Sequence, residues 1–163
     1  MAGKVPAIRT LTTTQMTDSK APEVIQVRMP SRLDLLGVLD HVAQSLCERL
    51  EFDTDTSSQV TMSVIEAGTN AIQHGHQRDA SKPVDAKFHL FADRIEITVH
   101  DSGPGFDLNA LVGDITTPEH LLDLRGRGIF IMRACMDSVE FEFGPNGTVC
   151  HLVKRRPAAR ATG

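Results

Sequence analysis

The chain has 163 residues, of which 40% are hydrophobic and 23% charged, and its formal net charge is −4. These values are typical of one globular domain with a substantial core and exclude a disordered chain. A nucleic-acid-binding protein normally carries a basic face, and the only basic cluster here is Lys154-Arg155-Arg156 near the C-terminus, so direct nucleic-acid binding is not expected.

The cysteines and the apolar runs indicate the compartment. Cys47, Cys135 and Cys150 lie far apart, each inside an apolar pattern, which predicts small buried hydrophobes rather than a disulfide framework or a zinc site. The sequence shows no signal peptide and no apolar run long enough to span a membrane. We therefore expect a cytoplasmic protein without membrane association.

The N-terminal part predicts a tail, a strand and a helix. Residues 1–21 are rich in Thr and have no apolar period, so they are expected to be a flexible tail. Apolar and polar residues alternate from Glu23 to Met29, which predicts a strand. Ser31 follows Pro30 and is placed to cap a helix that runs to Leu50. The expected buried positions of this helix are Leu35, Leu39, Val42, Leu46 and Leu50.

A second helix carries the first candidate site. Residues 52–58 are polar and are expected to be a connector, after which the helix runs to Gly75, a residue that commonly ends helices. Glu66 and Asn70 are one turn apart, so a carboxylate and a carboxamide lie one above the other. This pair alone is commonplace on solvated helix faces. The expected buried face consists of Val60, Val64, Ala67 and Ala71, widened by Ile65 and Ile72.

Two strands follow and deliver an acidic residue into a glycine-rich turn. Residues 84–90 and 95–100 alternate between apolar and polar, and Ala92-Asp93 between them predicts an antiparallel hairpin. The second strand ends at Asp101, which is followed by Gly103 and Gly105. An acid at a strand tip followed by two glycines places a carboxylate where a flat ligand can approach the backbone closely.

The C-terminal part predicts a loop, a helix and a second hairpin. Residues 107–124 are loop-like, with a short helix capped by Thr117. Gly126 and Gly128 open a helix that ends near Met136; its N-terminus would suit an anion, although no P-loop lysine motif is present. Strands are expected over residues 139–143 and 148–153, and residues 156–163 as a flexible tail. A simple helix-entry turn is the alternative for the two glycines.

The order of these elements indicates an α/β (α+β) two-layer sandwich, with a mixed, mostly antiparallel sheet covered by helices on one face. A doubly wound parallel sheet would require strands and helices to alternate regularly, and they do not. Residues 22–155 are expected to form this single domain.

The candidate residues suit one type of ligand. Asp101 is an acceptor that can bind an exocyclic amine such as that of adenine, whereas the carbonyl of guanine would face a negative charge. The amide oxygen of Asn70 suits Mg²⁺, a cation that prefers oxygen ligands. Glu66, one turn earlier, can accept a proton from an attacking hydroxyl or water.

Three motifs in order resemble those of a known superfamily. Glu66-Ala67-Gly68-Thr69-Asn70, Asp101-Ser102-Gly103-Pro104-Gly105 and the run from Arg125 to Met132 resemble the N box and the two glycine boxes of GHKL ATPases. That superfamily includes gyrase B, histidine kinases and MutL and uses the Bergerat fold. Within it, length and the run Ser63 to Gly75 resemble bacterial anti-sigma-factor serine/threonine kinases most. The resemblance extends from about Val24 to Lys154.

The resemblance implies a role for each matched residue. Glu66 would be the general base and Asn70 the Mg²⁺ ligand. Asp101 would recognise adenine in a pocket shaped by Gly103 and Gly105. Gly126, Arg127 and Gly128 would bind the phosphates and form the hinge of a lid. Thr148 matches the position that supports adenine near Asp101.

Two functions from different classes follow. The first is a Mg-ATP-dependent serine/threonine kinase that phosphorylates a STAS-type anti-anti-sigma partner and sequesters a sigma factor, expected as a homodimer because relatives commonly form one. The alternative is a nucleotide-binding regulatory module that sequesters a partner without phosphotransfer. A third possibility is an ATP-hydrolysing switch that acts on itself. Transfer of label from ATP to a partner serine distinguishes the first function from the others.

Overall fold

The computed structural model describes residues 21–108 and 124–157. Within them, five strands form one sheet in the order β1-β2-β3-β5-β4, and every neighbouring pair is antiparallel. The strands are β1 (Glu23–Pro30), β2 (Pro83–Leu90), β3 (Arg94–Asp101), β4 (Ser138–Gly144) and β5 (Gly147–Arg155). The helices are α1 (Leu36–Arg49), α2 (Thr54–Asn70) and α3 (Leu124–Cys135). The two-layer α+β architecture is confirmed, with a wholly antiparallel sheet in the described part where a mixed one was expected.

The sheet follows the alternation in the sequence. Along β2 and β3 the inward positions are buried and the outward ones at least partly exposed, and Phe88 pairs with Ile97 across the two strands. Phe88, Ile95 and Ile97 are completely buried. Because one face of the sheet is apolar, a slip of one residue would expose this whole set, so the hydrophobic pattern fixes the register.

Helix α2 is the middle helix of the helical layer, between α1 and α3, and it also contacts β3 and β5. Its buried residues include Val60, Val64 and Ala67, as expected, and Ile72 beyond its end is buried as well. At Gly68 a Cβ would stand 2.7 Å from a side-chain methyl of Leu36 in α1, so the glycine permits close packing of the two helices.

The start of α1 differs from the prediction. The helix begins with a 3-10 turn, Leu33–Leu35, and Arg32 at the N-cap makes no side-chain capping bond. Ser31, predicted to be the cap, is buried; its hydroxyl contacts His76 Nδ1 at 2.5 Å and donates to the carbonyl of Lys82 at 2.8 Å. The prediction was wrong because tertiary partners distant in sequence hold a hydroxyl that local chemistry would assign to the helix.

Both ends of α2 also differ from the prediction. The helix begins at Thr54 within the expected connector, because the carboxylate of Asp53 accepts the backbone N–H of Thr56 at 2.7 Å and caps it. At the other end the chain continues into a π-helical turn, Ala71–Gly75. Gly75 does end the helical segment, as expected.

The cysteines are free thiols, and two are buried as expected; Cys135 is half-buried. Burial raises the pKa of Cys47 to about 11 and that of Cys150 to about 12. In the described part of the chain, no helix is both long and apolar enough to cross a membrane. The expected short helix at Thr117, most of both tails and part of the 107–124 loop lie outside the described residues.

Candidate active site

The sequence-predicted site residues come together at one edge of the sandwich. This edge is formed by the last turn of α2, the tip of β3, the start of α3 and the start of β5. The residues there are Glu66, Asn70, Asp101, Gly103, Gly105, Gly126, Arg127, Gly128 and Thr148. Elements that are distant in sequence therefore build one region, as the three motifs required.

Asp101 is the last residue of β3, and its carboxylate is held tightly. It is 8% exposed, and its Oδ1 accepts the backbone N–H of Gly103 at 2.8 Å. At Gly75 an added Cβ would lie 2.7 Å from Oδ2, so only glycine leaves room for the acid. Burial raises the pKa of Asp101, and the bond from Gly103 and the positive charge of Arg125 oppose that rise.

Thr148 is the direct neighbour of Asp101 on the adjacent strand, because the two residues pair in the antiparallel register of β3 and β5. Its hydroxyl is buried and has no hydrogen-bond partner among the described residues, and the same holds for Nδ2 of Asn70. Buried polar groups are nearly always paired, and an unpaired one costs about 1–3 kcal/mol. Two such atoms at one edge indicate a ligand that pairs them.

A narrow cleft with a cavity volume of about 20 Å³ lies between these groups. Its wall is apolar at Ala67, Val99 and Phe141 and polar at Asn70, Asp101 and Thr148. An apolar slot with a few converging polar groups is typical of a site for a flat heterocyclic ligand.

A second, wider cleft of about 210 Å³ begins on the other side of Asn70. Glu66, Thr69 and Asn70 line it from α2, and Arg127 and Gly128 line it from α3. Asn70 borders both clefts, so a ligand bound in the first could extend past this amide into the second.

The start of α3 lies against Glu66. A Cβ at Gly128 would stand 2.6 Å from Glu66 Oε2 and 3.8 Å from Asn70 Oδ1. The helix begins at Leu124, two residues before the predicted glycines, so Gly126 lies in its first turn, where the helix dipole is positive. The second cleft therefore combines a carboxylate, an amide and the positive end of a helix.

Glu66 is partly withdrawn from water. Its burial raises the pKa of the carboxyl group above the ordinary value, and the positive charge of Arg127 opposes the rise. A raised pKa makes the ionised carboxylate a better proton acceptor than an exposed glutamate. The arrangement suits a general base with an adjacent positive charge.

The structure adds residues that the motifs did not identify. Gly147 has a φ of +119°, and a Cβ there would collide with the backbone of Asp101 and Ser102, so β5 approaches the acid closely. Phe106 lines the first cleft, and the guanidinium of Arg125 lies 4.3 Å from the centre of its ring. The sequence gives only weak signals for Gly147 and Phe106, because their place in the site depends on which strand packs beside them.

The chain is similar in sequence to known proteins over most of its length. The family model described as "Histidine kinase-like ATPase domain" matches residues 29–154. Serine-protein kinase RsbW of Halalkalibacterium halodurans is 32% identical over 138 residues, 82% of this chain and 83% of the relative. Serine-protein kinase RsbW of Bacillus subtilis is 29% identical over 125 residues, 74% of this chain and 78% of the relative.

Solved structures show the same fold. The crystal structure of the RsbU and RsbW domains of a Mycobacterium tuberculosis protein matches with a TM-score of 0.61 and 14% identity over 83% of this chain. The match spans about a third (34%) of that longer chain. A blue-light-activated histidine kinase of Erythrobacter litoralis matches with a TM-score of 0.51 over 75% of this chain at 19% identity.

Proposed function

The chain belongs to the histidine kinase-like ATPase domain family, and from this premise we propose that it is an anti-sigma serine/threonine kinase that uses Mg-ATP. Relatives that share 28–32% identity over most of the chain are named serine-protein kinases, and the chain is a protein serine/threonine kinase of this type. The observation that carries the proposal is the placement of Glu66 and Asn70 beside Gly128, at the point where the two clefts meet.

In the proposed complex the adenine base occupies the first cleft. The other oxygen of the Asp101 carboxylate accepts a hydrogen bond from the exocyclic amine. The hydroxyl of Thr148 forms a hydrogen bond with the adenine ring or with an ordered water. This arrangement satisfies one of the two unpaired buried atoms. Guanine would place a carbonyl oxygen against Asp101, so the cleft is expected to prefer adenine.

The phosphates extend past Asn70 into the second cleft, towards Arg127 and the first turn of α3. There Nδ2 of Asn70 would donate to a phosphate oxygen, and its Oδ1 would hold Mg²⁺, a cation that prefers oxygen ligands. The unpaired buried Nδ2 is the feature that fits this assignment. Bound Mg-ATP supplies the γ-phosphoryl group and neutralises its charge.

The protein's own part in the reaction is to position the acceptor and take its proton. A serine or threonine hydroxyl of the partner enters the second cleft beside Glu66, which accepts the hydroxyl proton as the oxygen attacks the γ-phosphorus and ADP leaves. Arg127 and the helix N-terminus stabilise the negative charge spread over the transferring group. Glu66 is returned to its ionised form when the proton passes to solvent.

The partners are inferred from the family resemblance. We propose that the phosphorylated protein is a STAS-type anti-anti-sigma protein, that the kinase also sequesters a sigma factor, and that the kinase is a cytoplasmic homodimer. The kinase must meet both the STAS protein and the sigma factor, so all three are expected in the same compartment.

The decisive experiment follows the phosphoryl group. Purified protein is incubated with γ-labelled ATP, Mg²⁺ and candidate STAS proteins, and label on a partner serine or threonine supports the kinase. Nucleotide-dependent complex formation without label supports the regulatory module instead. Label that appears only as free phosphate, without a partner, supports the ATP-hydrolysing switch.

A second experiment tests the nucleotide site alone. Titration calorimetry with Mg-ADP and Mg-GDP is expected to show a preference for adenine of at least about tenfold, which corresponds to about 1.4 kcal/mol. The variant Asp101→Asn replaces one acceptor oxygen of the side chain by a donor NH₂ group and should therefore reduce the preference for adenine. Equal affinity of the wild-type protein for both nucleotides would refute the assigned pocket.

A further inference from the structure

A buried histidine lies directly behind the nucleotide site. His76 is only 1% exposed, and it stands between the end of β1 and the tip of β3. Its Nδ1 lies 2.5 Å from the hydroxyl of Ser31, and its Nε2 lies 2.8 Å from the backbone nitrogen of Ser102 and 3.0 Å from the Ser102 hydroxyl. The sequence offered no function for this residue, which lies in a polar turn and matches none of the three motifs.

These contacts determine the protonation state of the ring. A backbone N–H can only donate, so Nε2 of His76 must accept the hydrogen bond from Ser102. The neutral imidazole therefore carries its proton on Nδ1 and donates it to the hydroxyl of Ser31. That hydroxyl donates onward to the carbonyl of Lys82, so the chain of three hydrogen bonds has a single direction.

The same contacts link the histidine to the acid that would bind the base. Gly75 packs against the carboxylate of Asp101, and His76, the next residue, bonds the backbone of Ser102, the residue after Asp101. Gly103 N–H then bonds Oδ1 of Asp101. The strand tip is held at successive positions, which fixes the direction of the carboxylate.

The turn after His76 holds the ring in this position at a conformational cost. Gln77 and Arg78 both have positive φ, 51° and 61°, which is uncommon for residues other than glycine. The backbone N–H of Arg78 bonds the carbonyl of Ile72 at 2.8 Å, which ties the turn to the π-helical segment. Such conformations persist where surrounding contacts enforce them, and they cluster at functional sites.

We propose that His76 is a positioning residue for the nucleotide site: its neutral imidazole holds the Ser102 backbone, and thereby the Asp101 carboxylate, in the orientation that binds adenine. This inference rests on the proposed function, because it assumes that Asp101 recognises the base. It adds a residue outside the family motifs, and it makes nucleotide affinity depend on one buried proton acceptor.

The surrounding charges define the expected pH dependence. Burial lowers the pKa of His76 below the ordinary value, and Lys82 and His100 act in the same direction, whereas Asp101 and Asp79 oppose them. The neutral form therefore prevails at neutral pH. Protonation would add a hydrogen on Nε2 that faces the N–H of Ser102, so the positioning bond is lost as the pH falls below the ordinary histidine range.

The test compares two substitutions of this histidine. His76→Gln keeps an acceptor where Nε2 was but cannot titrate, and His76→Leu keeps volume but removes the acceptor. The Kd for Mg-ADP is measured at about pH 8 and about pH 5.5, on either side of the histidine range. His41→Gln, at an exposed histidine of α1, is the matched control.

The expected result is specific to each variant. At about pH 8, His76→Leu should raise the Kd about tenfold or more, because it leaves a backbone donor unpaired, while His76→Gln should remain within about threefold of wild type. Wild type and His41→Gln should weaken together between the two pH values, and His76→Gln should weaken less. Protonation of the ligand itself cancels in this comparison.

A spectroscopic measurement does not depend on whether His76→Leu folds. Long-range ¹H–¹⁵N spectra of the wild-type ring at about pH 8 should show the Nδ1–H tautomer. An Nε2–H tautomer, or a folded His76→Leu variant with wild-type affinity, or wild-type pH dependence in His76→Gln, would each overturn the role of His76 while leaving nucleotide binding intact. Failure of the wild-type protein to bind Mg-ADP at about pH 8 would overturn the proposed function as well.

Discussion

The buried hydroxyl of Thr148 allows a test in which stability and binding change in opposite directions. Thr148→Val replaces the hydroxyl by a methyl group of similar size at a position that is 4% exposed. In the ligand-free protein the hydroxyl has no partner among the described residues, so the substitution removes an unpaired polar group. In the nucleotide complex it removes a hydrogen bond.

The magnitudes follow from the cost of the unpaired group. Relieving a buried, unpaired hydroxyl is expected to stabilise the free protein by about 1–3 kcal/mol. For a chain of this length each kcal/mol corresponds to a rise in Tm of about 2–4 °C. Loss of the hydrogen bond to the ligand should weaken Mg-ADP binding by about 1 kcal/mol, near fivefold in Kd.

The assay pairs thermal unfolding of the free protein with calorimetric titration of Mg-ADP. Thr98→Val is the matched control, because Thr98 lies on the outward face of β3 and undergoes the same change in strand propensity away from the clefts. The control should leave the Kd unchanged. A Thr148→Val protein that is less stable than wild type, or one that binds Mg-ADP with unchanged affinity, would refute the argument from the unpaired hydroxyl.

Four further outcomes are expected. Glu66→Gln should reduce phosphotransfer by about 10²–10⁴ while Mg-ADP affinity measured by calorimetry stays close to wild type; undiminished transfer would exclude Glu66 as the base. Gly128→Ala places a Cβ 2.6 Å from Glu66 Oε2 and should lower phosphotransfer in the same assay, whereas Gly144→Ala, where a Cβ meets nothing within 4 Å, should be neutral for transfer. Because burial raises the pKa of Glu66, its carboxylate is protonated at a higher pH than that of an exposed glutamate. The rate of phosphotransfer should therefore fall on acidification before an ordinary glutamate would titrate. The residual phosphotransfer of Glu66→Gln should lack this decrease at acidic pH. Burial also raises the pKa of Asp101, so the ionised carboxylate destabilises the free protein at neutral pH, and this destabilisation is lost as the pH falls through the folded pKa. Asp101→Asn should therefore raise the Tm at neutral pH.

Much of the fold was determined by local patterns in the sequence. Strict alternation in β2 and β3 is a property of the residues themselves, since period-two hydrophobicity can bury one face only in a strand. The apolar face of α2 was predicted in the same way, and so was Asp101 at the end of its strand. The three motifs identified the family because they combine residue type, spacing and order, which short periodic patterns lack.

The tertiary structure decided how those motifs meet and which other residues support them. Ser31 satisfied every local criterion for a helix cap, yet its hydroxyl bonds His76 and Lys82, because a hydrogen bond between segments far apart in sequence leaves no trace in the local pattern. Gly75 similarly fitted a helix end, and only the proximity of Asp101 shows why no side chain fits there. Local propensity depends on neighbours in the chain, whereas a site depends on neighbours in space, and the second set exists only after the chain has packed.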